Sequence, residues 1–219
     1  MVRPCTVRRR GLRRLPFCLV TVVPRFVLAS KSPARLRVLR SAGLDPVVVV
    51  SGVDESTVTG PPADVALTLA VRKTMAVAPQ CADSLVLGCD SLLDLDGEAL
   101  GKPADPHDAI ARWRRMRGRS AVLRTGHCLV DTATNRQAAQ VASTTVYFAA
   151  LTDDEIEQYV ATGEPLAVAG AFTIDGLGGP FIERLDGDPH NVVGVSLPLL
   201  RELVGQLGHH WTDLWGHGS

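Results

Sequence analysis

From Arg25 onward, short apolar runs alternate with stretches whose apolar positions recur at helical spacing, the pattern of an α/β chain. Phe26–Ala29 reads as a buried first strand. Ser32 is a helix cap with Pro33 at the first helical position, and the helix runs to Gly43. Pro46–Val50 reads as a second strand, and Asp64 to about Ala78 as a second helix stopped by Pro79. Leu85–Cys89 reads as a third strand, closed by Asp90, and Asp96-Gly97 between Leu95 and Leu100 as a hairpin turn. Asp105-Pro106 opens a helix reaching Arg117, and two β-rich runs follow, Val122–Asp131 and Gln137–Phe148, with a turn near Asn135. Thr152 with Glu155 three residues on is a capping-box signature for a helix that Gly163 ends. Phe181–Leu185 reads as a late strand and Ser196–Val204 as a last helix. The tail, residues 209–219, reads as frayed, with Trp211 and Trp215 the residues able to pack back on the body.

The segment before this pattern is different in kind. Arg8–Arg14 (RRRGLRR) followed by the apolar Leu15–Val23 imitates a secretory signal. The apolar stretch is about half the roughly 20 residues that a membrane span needs. Its small-residue cleavage candidate, Val27–Ala29, would cut into the first strand. Residues 1–24 are therefore read as a basic extension or an upstream start, residues 25–208 as one domain, and no membrane partner is expected.

Charge sharpens this division. The formal net charge is zero, with 23 basic and 23 acidic residues, but seven of the arginines lie in residues 1–25, which hold no acid. The rest carries 16 bases against 23 acids, a net of −7. A body this acidic lacks the basic face a general nucleic-acid binder needs. The five cysteines are odd in number and form no C-x-x-C pair, which argues against a disulfide framework and for a reducing, cytoplasmic setting. The chain has only three lysines, Lys31, Lys73 and Lys102, against twenty arginines.

Several segments could carry chemistry. Ala29–Arg35 (ASKSPAR) places two hydroxyls and an arginine at a strand-to-helix junction, where free backbone N–H groups attract anions. Arginine suits phosphate because its fork bonds two oxygens together. Read alone, the segment is equally a capped helix with a solvated arginine. Glu55 follows the second strand, and Asp90 lies in a run apolar enough to be buried, where a carboxylate needs a partner or a metal. Oxygen ligands from Glu55 and Asp90 suit Mg²⁺, which takes one or two carboxylates plus phosphate oxygens; each acid separately is also an ordinary turn residue. Lys73 and Lys102 would bring point charges to a polyphosphate. Gly170–Gly179 is glycine-rich, allowing close approach of backbone to a ligand or to other backbone. The chain has no G-x-x-x-x-G-K-[ST] loop, G-x-S-x-G elbow, H-E-x-x-H or strand-following G-x-G-x-x-G, and its six histidines do not cluster at ligand spacing.

Taken in order, FVLASKSPARLRVLRSAG, SGVDE, GCDSLLDLDGEALGKP and GAFTIDGLGGPFIERLDGDPHNVVGVSLPLL resemble the motifs of the Maf family of nucleotide pyrophosphatases, also called septum-formation proteins, from Phe26 to about Val204. The resemblance implies a two-lobed, mixed-sheet α/β fold of the Maf/inosine triphosphatase-like type with a central cleft. It also implies a divalent metal (Mg²⁺ or Mn²⁺), a homodimer, and hydrolysis of nucleoside triphosphates to monophosphate and pyrophosphate. On this likeness Asp90 falls on the catalytic acid, and Ser30, Arg35, Glu55, Lys73 and Lys102 fall on polar pocket positions. Ala34, Ser91 and Asp175 fall on positions tied to base choice, where pyrimidine-preferring members tend to carry Arg, Thr and Gln, so base preference does not transfer. A rival reading is a non-catalytic regulator of septum formation that binds nucleotide or a partner protein.

Overall fold

The computed structural model describes residues 24–215; the basic leader before Pro24, with Cys5 and Cys18, and residues 216–219, with His217, lie outside the described residues. The elements run β1 (Arg25–Leu28), α1 (Pro33–Ser41), β2 (Val47–Val48), α2 (Pro62–Val77), β3 (Ser84–Leu95), β4 (Glu98–Leu100), α3 (Pro106–Met116), β5 (Ser120–Asp131), β6 (Arg136–Phe148), α4 (Asp153–Ala161), β7 (Ile182–Asp186), α5 (Pro189–Val193) and α6 (Leu197–Gln206). The strands form one seven-stranded sheet in the order β2-β1-β3-β5-β6-β7, with β4 beside β3. β1 is parallel to both β2 and β3, and the other pairings are antiparallel. This is the mixed α/β fold the sequence predicts.

Alternation along the strands divides the core by face. Phe26, Leu28, Leu85, Leu87, Cys89 and Leu129 point to α1 and α6. Val27, Val86, Cys128 and Val130 point to the opposite face, against Ala70 and Val77 of α2. Farther along the same long strands, Leu93, Leu95, Leu123, Val146 and Phe148 pack with α3 and α4 in a second cluster. At its centre the fully buried Trp113 meets Phe148, Tyr159 and Phe181 edge-on, and its indole N–H donates to Ala171 O at 2.7 Å. Two apolar lobes thus share β3, β5 and β6, and β3 crosses from one to the other between Cys89 and Leu93.

Three expectations need correction. Asp90 does not close a strand, because β3 runs on through it to Leu95. Its polar pair Asp90-Ser91 interrupts the apolar run yet stays in the sheet, since both side chains find partners there. The second strand is only Val47–Val48, both exposed at the sheet edge. The tail is not frayed over residues 209–215: Leu214 is buried, Trp211 packs against the α1/α6 cluster, and His209 Nε2 lies 3.0 Å from Asp131 Oδ2. Trp215 covers Gly43, where an added Cβ would stand 2.8 Å from its ring. The five-residue α5 is too short for its pattern to show in the sequence.

His127 on β5 is completely buried. Its Nδ1–H donates to Thr125 O at 3.0 Å, leaving Nε2 to accept from Ser196 N at 2.8 Å. Burial, helped by the nearby Arg35 charge and opposed by the Thr125 carbonyl and Asp188, pushes its pKa down from 6.5 to about 4. The unfolded chain therefore takes up a proton near pH 6.5 that the folded chain refuses until about pH 4. The resulting stability is full above pH 6.5 and declines as pH falls towards 4, by about 3 kcal/mol in total. Urea unfolding at pH 7 and pH 5 should show the wild type losing roughly 2 kcal/mol more than His127→Gln; equal losses would remove His127 as the cause.

Candidate active site

On the side facing β1 and β4, β3 has a gap in its pairing. β1 covers Ser84–Leu87 and β4 covers Leu93–Leu95, so Gly88–Leu92 has no partner strand there among the described residues. Asp90 and Ser91 sit in that gap, and as neighbours on a strand they point to opposite faces.

Asp90 faces α2. Buried residues Ala66, Ala70, Lys73, Thr74 and Val77 make the inward stripe of that helix, so Lys73 is carried into the sheet by the same periodicity that buries its apolar neighbours. Its Nζ lies 2.5 Å from Asp90 Oδ1 and 2.7 Å from Glu55 Oε1. Lys73 and Asp90 are about nine-tenths buried, whereas Glu55 is 57% exposed. Glu55 rides on the loop after β2, which Arg72 of α2 holds through a 2.9 Å bond to Thr57 Oγ1. Burial raises the Asp90 pKa from its ordinary value, with Lys73 and Arg35 pulling it back. One ammonium between two carboxylates is thus a paired, partly solvated arrangement rather than an isolated buried charge.

Ser91 faces α1. Ser32 caps that helix, accepting from Arg35 N at 3.4 Å, and its own N–H donates to Ser30 Oγ at 3.2 Å. The Arg35 guanidinium is held on three sides: Nη1 donates to Ser30 Oγ at 3.2 Å, Nη2 to Ser91 Oγ at 3.0 Å, and Nε to Gly194 O at 2.8 Å. Gly194 is at φ +119°, and a Cβ there would come within 3.0 Å of Arg35 Nε, so the close approach requires glycine.

Two groups therefore meet at the gap in β3, Ser30, Arg35 and Ser91 on the α1 face and Glu55, Lys73 and Asp90 on the α2 face, and the cluster they make is close enough for the Arg35 charge to act on Asp90. Lys102 is exposed on the loop after β4, without a hydrogen bond or ion pair to that cluster among the described residues. The loop itself is pinned, with Gly101 O accepting from Gly170 N at 3.0 Å and Arg112 Nη1 at 2.7 Å. Ala34 is half-buried on the first turn of α1, one turn before Arg37. Asp175, on the glycine-rich stretch, reaches Arg37 at 3.3 Å and so meets α1 rather than Asp90. Glu164 holds that stretch in place, accepting from Leu177 N at 2.9 Å and Gly178 N at 3.0 Å.

Thr125, Asn191 and Gly194 complete the surroundings of Arg35 from 90 or more positions away; Asn191 and Gly194 fall within a quoted motif, but nothing local in it assigns them to Arg35, and Thr125 lies in no motif. No group of three or more His, Cys, Asp or Glu among the described residues could by itself hold a metal ion.

A family model described as Maf-like protein matches residues 25–207. The chain is 60% identical over 201 residues to a nucleoside triphosphate pyrophosphatase of Salinispora tropica, the match covering 89% of each. It is 60% identical over 194 residues to one of Streptomyces avermitilis, covering 87% of this chain and 94% of that one. A nucleoside triphosphate pyrophosphatase of Nostoc punctiforme is 50% identical over 194 residues, covering 88% and 98%.

Proposed function

We propose, for a chain that belongs to the Maf-like protein family, the activity its relatives' names carry: hydrolysis of nucleoside triphosphates to the monophosphate and pyrophosphate. The observation that carries this reading is the clustering of a buried Asp90–Lys73–Glu55 group and a triply held Arg35 at one gap in the sheet. The first suits water activation, and the second suits a polyanion.

In this reading a water oxygen attacks the α-phosphorus. The bond from that phosphorus to the bridging oxygen breaks, and pyrophosphate leaves. Asp90 orients the water and accepts its proton. Arg35, Lys73, Lys102 and the free N–H groups at the start of α1 offset charge on the phosphates, the main catalytic contribution in phosphoryl transfer. Glu55 and Asp90 would hold Mg²⁺ or Mn²⁺. Their fit rests on two carboxylate oxygens already converging on one cation, Lys73 Nζ, at 2.7 and 2.5 Å; two such ligands are what Mg²⁺ takes before phosphate and water oxygens fill its shell. When bound, the ion supplies Lewis-acid charge at the phosphate oxygens.

We also read the protein as a cytoplasmic homodimer. The family resemblance supports the dimer, and the free thiols of Cys81, Cys89 and Cys128 accord with a reducing compartment. No helix among the described residues is long and apolar enough to cross a membrane.

The test is a panel of nucleoside triphosphates with Mg²⁺ or Mn²⁺, with the products identified. Pyrophosphate and monophosphate are expected. Orthophosphate would mean a different phosphohydrolase, and binding without turnover a regulator. An ionised Asp175 offers only acceptors, which suit the paired N–H donors of guanine better than the imide of uracil or thymine. GTP should therefore be turned over faster than UTP or dTTP, and the reverse order would remove Asp175 as the base-reading group.

A further inference from the structure

We infer that Thr125 is a positioning residue for the phosphate-binding arginine, acting through a directional chain of hydrogen bonds that crosses the sheet. This rests on the reading of Arg35 as a phosphate ligand given above.

Ser91 on β3 and Thr125 on β5 are directly paired, so both side chains project on the face that α1 covers. Their hydroxyl oxygens are 3.0 Å apart. Thr125 Oγ1 is also 3.2 Å from the carbonyl oxygen of Asn191 on α5, and a carbonyl can only accept. The one hydroxyl proton of Thr125 is thereby committed to Asn191, so Thr125 must accept from Ser91. Ser91 in turn accepts from Arg35 Nη2 at 3.0 Å. The order is fixed from end to end: guanidinium N–H to Ser91, Ser91 O–H to Thr125, Thr125 O–H to Asn191 C=O. Each hydroxyl both accepts and donates, an arrangement in which successive bonds polarise one another.

The far end is anchored rather than free. Asn191 is completely buried, and its amide donates to Thr144 Oγ1 at 3.1 Å and Leu123 O at 3.3 Å. Thr125 is likewise completely buried, and its own carbonyl accepts from His127 Nδ1. Three residues after Asn191, Gly194 O takes Arg35 Nε, so the middle and the C-terminal cap of the short α5 both act on one guanidinium, the cap directly and Asn191 through the hydroxyl chain. The consequence is orientational. Without the Thr125 acceptor, the Ser91 hydroxyl loses the partner that fixes its rotation, and with it the fixed direction of its lone pairs toward Arg35 Nη2. One of the three bonds that hold the guanidinium plane would then no longer be held in direction.

The experiment compares wild type, Thr125→Val, Thr125→Ser, Ser91→Ala and the Ser91→Ala/Thr125→Val double variant. Valine preserves shape and removes the hydroxyl, whereas serine removes a methyl and keeps it. Affinity for inorganic pyrophosphate is measured by calorimetry, KM and kcat by pyrophosphate release, and folding by urea unfolding. Thr125→Val is expected to weaken pyrophosphate binding and raise KM on the order of tenfold, with kcat changed far less. Thr125→Ser should restore both, and the double variant should lose no more than the worse single one. Two results overturn the inference: wild-type KM and pyrophosphate affinity in a folded Thr125→Val, or equal losses in the valine and serine variants that track stability alone. If valine prevents folding, Ser91→Ala and Thr125→Ser decide the same question. Failure of the functional reading shows separately, as a wild type that releases no pyrophosphate from any triphosphate.

Discussion

Asp90→Asn is expected to reduce pyrophosphate release by about a thousandfold while leaving the fold intact. Asparagine keeps the size of the side chain and one acceptor oxygen, but it cannot take a proton and is a poor ligand for a hard cation. Lys73, the buried partner, is not stranded, because Glu55 Oε1 remains 2.7 Å from its Nζ. This is why asparagine is the informative replacement and alanine, which also opens a cavity, is not. Stability should move in the opposite direction to activity. Burial disfavours the charged form of Asp90 in the folded protein, so a neutral amide relieves that cost. The variant should unfold at the same or slightly higher urea concentration than wild type, the pattern of a residue kept for chemistry rather than for folding. Turnover within a few-fold of wild type would remove Asp90 from the reaction, and a loss of activity matched by a loss of fold would leave it a structural role only.

What could be read from the chain and what could not follow from the range of the forces involved. Helix starts were legible because their signals are local: Ser32 before Pro33, Asp105 before Pro106, and the Thr152–Glu155 capping box all occur as expected. The acids and lysines at the gap were legible as types, since a carboxylate in an apolar run must be compensated, and Lys73 is the group that compensates Asp90. The length of β3 was obscured by that same chemistry, because Asp90-Ser91 look like the end of an apolar run when each is satisfied from a different helix. Of the groups around Arg35, Ser30 and Ser91 were legible as polar site positions, but the distant ones were not. Gly194 lies 159 positions away, and only the folded sheet brings it near. Lys102 carries the same lesson in reverse: its charge beside the Asp90 segment is visible in the sequence, yet its side chain is exposed and bonds to none of the cluster's residues.

Gly126→Ala should destabilise the protein by roughly 3 kcal/mol and impair catalysis without touching a reacting group. Gly126 pairs with Asp90 across β3 and β5 and faces the same helix, α2. An added Cβ would overlap the backbone of Ala66 and come within 2.7 Å of Leu67 Cα. These are main-chain atoms of a helix, so no rotamer change can make room; α2 as a whole must retreat. Gly88, paired with Cys128 on the same face, sets the second contact, where a Cβ would lie 2.7 Å from Ala70 O. Two glycines thus let one helix approach the sheet closely enough for Lys73 to reach Asp90, and any retreat lengthens a bond that is now 2.5 Å. Gly126→Ala should therefore lower the urea midpoint and reduce kcat in the folded fraction by about tenfold, as small misplacements at a site do. Gly205→Ala on α6 is the matched control: no atom lies within 4 Å of the new Cβ, and a helical alanine there should stabilise by about 0.5–1 kcal/mol. If Gly126→Ala behaved like Gly205→Ala in both assays, the close seating of α2 could not be what places Lys73.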